Sequence, residues 1–234
     1  MLCFFGMNKR IIFTLNTLGW LMLFFALLMG CIRFTADRPG LYHRLQTEAQ
    51  ILDYAGISDE DLQRLDKKLA EYLFGRIDTP NAQIPVFGAN QPAFNEKELI
   101  HLADCRRLLA PTANLPLNLF LAVAGLGLAM TGKQGKRAAS ASLASALVLA
   151  PIALLAVWAL VDFNSAFHFF HKILFTNDLW LLDPRTVLLI RICPASMFAN
   201  MGARIGVMCA VVLLGIPLLL SLVRYLSERK RKQT

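Results

Sequence analysis

Charged residues are missing from four long stretches of this sequence. The apolar runs 11–32, 115–131, 138–161 and 205–223 contain no Lys, Arg, Asp or Glu. A helix of about 20 apolar residues is long enough to cross the hydrocarbon core of a bilayer. The sequence therefore predicts an integral membrane protein that is mainly α-helical and has four transmembrane helices.

The net charge of +8 is concentrated beside these apolar runs. The flanks hold one acid, Glu228, and ten basic residues: Lys9, Arg10, Lys133, Lys136, Arg137, Arg224, Arg229, Lys230, Arg231 and Lys232. An excess of Lys and Arg marks the cytoplasmic ends of membrane helices, and with four helices all of these flanks fall on one side. Both chain termini are therefore predicted to be cytoplasmic. No basic patch with interleaved aromatic residues remains, which argues against nucleic acid as a partner.

The apolar runs divide the chain into eight segments. Transmembrane helices are predicted over 11–32, 115–132, 138–161 and 205–223. A small mixed α/β head over 33–114 and a loop over 162–204 face the outside, whereas a link over 133–137 and a basic tail over 224–234 face the cytoplasm.

Local signals predict the elements of the two outside segments. Ser58 and Asn95 are predicted to cap helices, Pro111 lies just beyond the predicted end of the helix that Asn95 caps, and 78–92 is predicted to be irregular. In the loop, the stretch LWLLDPRTVLLIRI predicts a hairpin of two short strands around Asp183-Pro184. Its second half, VLLIRI, could instead lie along the membrane interface.

The N-terminus resembles a lipoprotein signal peptide, because MNKR is followed by an apolar run that ends at Cys31. The run is longer than the roughly 7 to 15 apolar residues of a signal peptide, and three more runs follow. An uncleaved membrane anchor is therefore predicted. Translation could begin at Met1 or at Met7.

Motifs of the common hydrolases are absent. The chain has no GxSxG elbow and no HExxH motif, and no cysteine stands directly beside a histidine. Four histidines with Glu98 and Asp104 could bind a metal ion, but their HxxH and ExxHxxD spacings are not those of a zinc protease. No metal and no cofactor is predicted. Of the five cysteines, Cys105 and Cys193 lie in the outside segments, where they could form a disulfide or remain free thiols.

Polar residues with catalytic potential occur in two places. Glu98, His101 and Asp104 are spaced by three on one helix, so they share a broad face on which a carboxylate could orient or tune the imidazole. A solvated helix face would show the same spacing.

The second place is the stretch FHFFHKILFTNDLWLLDP, which begins at Phe167. It sets His168 and His171 among phenylalanines at the predicted membrane interface, where aromatic rings are common. An interfacial belt and a catalytic site remain open as interpretations, although several polar residues accompany the histidines: Asn164, Lys172, Asn177, Asp178, Asp183, Arg185 and Arg191.

Taken together, the stretches FNEKELIHLADCRRL and FHKILFTNDLWLLDPRTVLLIRICPASMF resemble the paired signatures of the lipoprotein intramolecular transacylases. These are bacterial membrane proteins with four spans. The resemblance implies that the acyl chain esterified at the sn-2 position of a diacylglyceryl cysteine moves to the α-amine of the same cysteine, which leaves an N-acyl lyso lipoprotein.

The resemblance also implies residue roles. The catalytic histidines of the family match His101 and His171, whereas His168 falls outside the motif, because Trp180 and Asp183 fix the register. Glu98 and Asp104 would orient or tune His101, and Arg185 or Arg191 would contact polar or anionic groups. Cys105 stands where the family more often has an aliphatic residue.

The resemblance further implies an acyltransferase of the bacterial cytoplasmic (inner) membrane with its active site on the extracytoplasmic face. Its partners would be diacylglyceryl lipoproteins and the surrounding phospholipids; the sequence does not indicate an oligomeric state. Two alternatives are a metal-dependent membrane hydrolase that uses the histidines as ligands and a non-enzymatic membrane assembly factor.

Overall fold

The computed structural model describes residues 8–131, 134–183 and 185–233. The alternative start sites Met1 and Met7 lie outside the described residues. So do residue 132 at the end of the second predicted transmembrane helix, residue 133 of the predicted link, Pro184 of the predicted turn and Thr234 of the predicted tail. The described chain is mainly helical with one two-stranded sheet.

The described elements occur in the following order: α1 (Lys9–Ala36), α2 (Pro39–Glu48), α3 (Leu52–Ala55), α4 (Asp59–Leu73), β1 (Gln83–Val86), β2 (Ala89–Pro92), α5 (Glu96–Ala113), α6 (Leu115–Ala129), α7 (Gln134–Val161), α8 (Phe163–Leu174), α9 (Leu188–Ile192) and α10 (Ala195–Gln233). They form two compact units. The first is built from Met1–Cys31, Leu115–Leu155 and Gly206–Thr234, and the second from Ile32–Asn114 and Ala156–Ile205.

The first unit contains the apolar helices, held together by close backbone approaches. A side chain at Gly19 would lie 2.5 Å from the backbone nitrogen of Ala129, so only glycine permits this contact between α1 and α6. The buried Asn16 amide of α1 donates to the Ala129 and Thr131 carbonyls at 2.7 and 2.8 Å. These bonds satisfy carbonyl groups at the C-terminal end of α6, where the helix itself offers no donors.

Three of the described helices are long and apolar enough to cross a membrane by themselves: α1, α7 and α10. Helix α6 has 15 residues and is about 22 Å long, which is less than the roughly 30 Å of the hydrocarbon core. It reaches the required length only if it is counted with α5 as one broken span. The described chain thus has three or four candidate spans where the sequence predicts four.

The second unit has a hydrophobic core between its helices and the small sheet. Helix α4 buries Leu62, Leu65 and Leu69, and β1 contributes Ile84. Spacings of three and four residues place these leucines on one face of the helix. The caps are as predicted: Ser58 accepts from the Asp61 backbone N–H at 3.1 Å, and Asn95 accepts from that of Glu98 at 3.0 Å. Pro111, expected just beyond the helix, lies inside α5, which continues to Ala113.

The predicted hairpin around Asp183 is wrong, because its second half forms the short helix α9. Leu188, Leu189 and Ile192 of this helix are buried in the core of the unit. A short apolar run does not distinguish a strand from a buried helical turn by its periodicity.

The hairpin occurs in the region that the sequence predicts to be irregular. Strands β1 and β2 are antiparallel, and Phe87 and Gly88 form the two-residue loop between them. Both loop residues have positive φ, +50° and +81°, as in the primed turns that match the twist of a hairpin. Phenylalanine is an unusual residue for this conformation, and three prolines in the region conceal the strand pattern.

Candidate active site

His101 lies in the second turn of α5, six residues beyond the N-cap residue Asn95. Asn95 and Glu98 form a capping box, in which the Glu98 carboxylate accepts from the Asn95 backbone N–H at 2.8 Å. The imidazole of His101 is half-buried, and its Nε2 lies 3.6 Å from the Cys105 thiol one turn further along. The Nδ1 atom is buried and has no hydrogen-bond partner among the described residues.

His171 lies in the last turn of α8 and is only 8% exposed. Its Nδ1 is 2.7 Å from the Phe167 carbonyl oxygen. A carbonyl oxygen can only accept, so Nδ1 must carry the hydrogen of the neutral ring. The lone pair of neutral His171 is therefore on Nε2.

The two histidines meet in a pocket of aromatic rings. Their ring centroids are 6.3 Å apart, although the residues are 70 positions apart in the chain. Phe175 lies 5.2 Å from His101 and 5.5 Å from His171, and Trp180 lies 4.9 Å from His171. Phe167 is closer still to His171, at 4.0 Å.

Burial in this pocket keeps both histidines neutral. Two effects lower the pKa of His101 to about 4: desolvation by burial, which is the larger, and the proximity of His171. The charge of the Asp104 carboxylate acts in the opposite direction and raises this pKa. Desolvation also lowers the pKa of His171, and the Phe167 carbonyl partly offsets this effect. At neutral pH each ring can offer one hydrogen-bond donor and one lone pair.

Asp104 links α5 to the turn that follows α8. Its Oδ2 accepts from the Asn177 amide at 2.9 Å, and its Oδ1 accepts from the Arg107 guanidinium at 2.8 Å. It therefore does not orient His101 through a hydrogen bond, but its charge raises the pKa of that ring. The turn that contains Asn177 leads to Trp180, so the hydrogen bond from Asn177 to Asp104 helps to position the Trp180 ring beside His171.

The expectation that Glu98 orients His101 does not fit the geometry. One oxygen of its buried carboxylate closes the capping box, and the other accepts from the Leu189 backbone N–H at 2.7 Å. Both oxygens thus serve helix N-termini, where backbone N–H groups need acceptors. Glu98 links α9 to α5, and this hydrogen bond satisfies a backbone N–H in the first turn of α9.

The other predicted polar residues lie apart from the histidine pair. Asp183 accepts from the backbone N–H of Arg185 at 2.9 Å and from its guanidinium at 2.8 Å, which closes a local turn. The Arg191 guanidinium lies over the Phe87 ring at 5.1 Å. No described contact joins these three residues to His101 or His171. Trp180, in contrast, does contact His171.

Phe167, Phe175, Asn177 and Cys105 also belong to the surroundings of the pair. Cys105 follows His101 by four positions, a spacing that places two residues on the same helix face and that could have indicated this contact. The role of Phe167 depends on its backbone carbonyl, which leaves no signal in the residue type. The sequence shows Asn177 as a polar residue near the histidines, but it does not show its hydrogen-bond partner Asp104, which is 73 positions away.

The thiols and carboxylates do not form a metal centre in the described part of the chain. Among those residues, no group of three or more His, Cys, Asp or Glu side chains could hold a metal ion. Cys105 and Cys193 are free thiols, and the disulfide considered for them is not formed. Burial and the Asp104 charge raise the pKa of the Cys105 thiol to about 12, so it is protonated at neutral pH.

Fold and site together define a helical membrane protein with a neutral histidine pair in an aromatic pocket. The family model for the lipoprotein intramolecular transacylase Lit matches residues 17–198. The chain belongs to this family, and the prediction from the two motifs is confirmed. No curated protein sequence matches the chain.

Solved structures with the same fold come from Bacillus cereus. The membrane integral lipoprotein intramolecular transacylase Lit is 23% identical, with a TM-score of 0.69 over 95% of this chain and 97% of that chain. A variant with a histidine replaced by arginine is 24% identical, with a TM-score of 0.63 over 96% and 94% of the two chains. A variant with alanine in place of a histidine is also 24% identical, with a TM-score of 0.63 over 95% of both chains. These likenesses show the fold.

Proposed function

We propose that this protein moves the sn-2 acyl chain of a diacylglyceryl cysteine to the α-amine of the same cysteine, with His101 and His171 as the reacting groups. Membership in the transacylase family gives the class of reaction. The observation that carries the proposal is the 6.3 Å pairing of two neutral imidazoles in an aromatic pocket. The product amide is more stable than the ester, so the reaction needs no external energy source.

His171 is the general base in this proposal. Its Nδ1–H is engaged by the Phe167 carbonyl, which leaves Nε2 free to accept a proton from the attacking amine. As the nitrogen–carbon bond forms, His171 becomes an imidazolium whose Nδ1–H bond to the carbonyl strengthens. When the carbon–oxygen bond breaks, this imidazolium returns the proton to the glyceryl oxygen, so the reaction neither consumes nor releases protons.

His101 is the hydrogen-bond donor to the developing oxyanion. A ring with a pKa of about 4 is a weak base, but its neutral form still carries one N–H group. In a partly buried site lined by aromatic rings, a hydrogen bond to a developing negative charge is stronger than in water. The two histidines thus take different roles because their hydrogen-bond partners differ.

The enzyme gains most from orientation, since amine and ester belong to one substrate molecule. Holding the amine close to the ester carbonyl in the geometry of attack lowers the entropic part of the activation barrier. The rings of Phe167, Phe175 and Trp180 surround the pair closely enough to limit the substrate conformations. No covalent enzyme intermediate is required, and the protonated Cys105 thiol is a poor nucleophile.

The proposal includes the location of the reaction. The distribution of Lys and Arg supports four spans, cytoplasmic termini and a site on the extracytoplasmic face of the bacterial inner membrane. Helix α8 has exposed apolar side chains at Phe169, Phe170 and Ile173, as expected of a helix lying at a lipid interface. His171 on this helix would then lie at the depth of the substrate's ester groups.

The test is the conversion of a diacylglyceryl lipoprotein to its N-acyl lyso form, followed by mass spectrometry of the lipoprotein N-terminus. His101→Ala and His171→Ala should each reduce the conversion at least about 100-fold, because each removes a group that acts in the transition state. Lys172→Ala is the matched control, since it removes an exposed basic side chain from the same turn of α8. Near-normal conversion by either variant of the pair, at equal membrane levels, would refute the assignment.

A further inference from the structure

The unit that contains the histidine pair also has a cleft that His101 and His171 do not line. It is an open cleft of about 550 Å³ lined by Tyr54, Phe87, Ile190, Arg191 and Pro194, together with Arg185 and Ala195. Two aromatic rings, apolar side chains and guanidinium groups line one concave surface. This composition suits a ligand with both apolar and anionic parts.

The cleft contains an aromatic side chain that the fold keeps out of the core. Phe87 is 71% exposed and has a left-handed backbone, with φ of +50°. Its backbone N–H donates to the Gly56 carbonyl at 2.7 Å, and a side chain at position 56 would meet the Phe87 ring at 2.6 Å. The hairpin loop and a glycine together hold this ring at the surface.

Arg191 supplies the positive charge of the cleft. Its guanidinium stacks on Phe87 at 5.1 Å, and its Nε donates to the Val187 carbonyl at 3.4 Å. Among the described residues no carboxylate forms a salt bridge with Arg191, although burial raises the pKa of the Glu98 carboxyl and the charge of Arg191 acts to lower it. Arg185, in contrast, is paired with Asp183 at 2.8 Å. A stacked guanidinium that forms no salt bridge keeps donors with which it can bind a ligand carboxylate.

The cleft adjoins the helix that carries His101. Glu98 holds the Leu189 backbone N–H at 2.7 Å, so Ile190 and Arg191 follow directly after the contact with α5. His101 lies three residues beyond Glu98 on α5. The cleft and the histidine pair are thus connected through the contact between α5 and α9, and an extended polypeptide gains about 3.3 Å per residue, so a short segment can extend from one towards the other.

The position of the cleft along α10 argues against a lipid headgroup as its ligand. Ala195 in the cleft wall is the first residue of α10, and the uninterrupted apolar run begins ten residues later at Ile205. At 1.5 Å per residue this places the cleft about 15 Å along the helix from the start of that run. The polypeptide of a lipoprotein extends away from the membrane surface and can reach this distance, whereas the phosphate of a lipid headgroup stays at the surface.

We propose that this cleft binds an acidic segment of the lipoprotein polypeptide that follows the modified cysteine. Arg191 pairs with a carboxylate of the segment, and Phe87 and Tyr54 contact its apolar groups. This inference rests on the proposed function, because the segment extends from the cysteine that reacts at the histidine pair. It makes the cleft a specificity site for the polypeptide part of the substrate.

The test uses the full-length protein in phosphatidylcholine vesicles and two diacylglyceryl lipopeptides with the same lipid. One carries a short tail rich in aspartate, and the other has asparagine at the same positions. For the unaltered protein, kcat/KM should be about five- to tenfold higher for the acidic tail, as expected for one partly exposed charge-assisted hydrogen bond. In Arg191→Gln the ratio of the two values should fall to about one, mainly through KM.

Arg44→Gln is the matched control, because Arg44 is an exposed arginine of the same unit. This control should keep the ratio of the unaltered protein. Equal ratios in Arg191→Gln and the unaltered protein would overturn the inference. A ratio that depends on added phosphatidylglycerol rather than on the tail would also overturn it, in favour of a lipid headgroup site. Conversion of both peptides without any tail preference refutes the cleft assignment alone, whereas no conversion of either peptide refutes the proposed function.

Discussion

Two histidines of one pocket differ because their ring nitrogens have different neighbours. His171 gives its Nδ1–H to a backbone carbonyl, while His101 has a thiol beside Nε2 and no partner among the described residues at Nδ1. The first contact defines a tautomer, whereas the contacts of His101 leave its tautomer open. The proposed division between base and donor rests on these hydrogen bonds at single atoms.

Nuclear magnetic resonance titration of the histidines can test this electrostatic picture. His101 should remain neutral down to about pH 4, because burial lowers its pKa from 6.5. The neutral ring is favoured in the folded state, so this group contributes stability above pH 6.5 that is lost as the pH falls towards 4. The spectrum of His101→Phe identifies the signal, and a His101 titration near pH 6.5 would contradict the prediction.

Replacing Cys105 separates a direct acyl transfer from a path through a thioester. Cys105→Ala should retain conversion within about threefold, because the protonated thiol has a raised pKa and is not needed as a nucleophile. Initial rates with a diacylglyceryl lipopeptide measure the effect. A loss comparable to that of His171→Ala, together with an acylated Cys105 in the unaltered protein, would establish the covalent path instead.

At the scale of elements, one carboxylate joins two helices. Glu98 accepts from backbone N–H groups at the start of α5 and at the start of α9, although these helices are about 90 residues apart in the chain. The sequence shows its part in the capping box but not its contact with Leu189. Helix α9 in turn presents Ile190 and Arg191 to the cleft.

Glu98→Gln should destabilise the protein by about 1–3 kcal/mol, because a carboxamide keeps only one acceptor oxygen and leaves a buried backbone N–H without a partner. Thermal unfolding in detergent measures the change. Glu96→Gln is the control, since Glu96 lies exposed in the same first turn of α5. Equal melting temperatures of the two variants would mean that the contact with α9 contributes little.

At the scale of the whole molecule, a buried carboxyl group links stability to pH. Asp66 of α4 is 1% exposed; its Oδ1 accepts from the Gln46 amide at 2.9 Å, and its Oδ2 accepts no hydrogen bond from the described residues. Burial raises its pKa to about 7, the Gln46 hydrogen bond lowers it, and Asp59 adds to the increase. His43, whose Nδ1 lies 4.0 Å from Oδ2, is the nearest basic group.

The raised pKa predicts that Asp66 favours folding in its protonated form. The unfolded chain releases this proton near pH 4 and the folded protein near pH 7, so stability falls as the pH rises across that range. Asp66→Asn should remove this part of the slope when melting temperatures are measured from pH 4 to 8. Asp53→Asn, at an exposed position of α3, controls for the loss of a carboxylate; an unchanged slope in Asp66→Asn would contradict the prediction.

Sequence alone determined the features that depend on residues close together in the chain. Apolar runs without charge indicated membrane helices, Ser58 and Asn95 marked helix caps, and two motifs indicated the transacylase family, which the family match confirms. These signals are local because a helix buries a continuous apolar stretch and satisfies its first N–H groups with neighbouring side chains.

Only the tertiary structure decided which distant groups meet. The ring centroids of His101 and His171 are 6.3 Å apart, and Glu98 accepts a hydrogen bond from α9 rather than from His101. The hairpin occurs at 83–92 and not at 179–192, where the sequence predicts it. The tertiary structure also separated Arg191 from the histidines and set it over Phe87. Such contacts depend on the packing of whole elements against a shared core, and residue types a few positions apart carry no information about it.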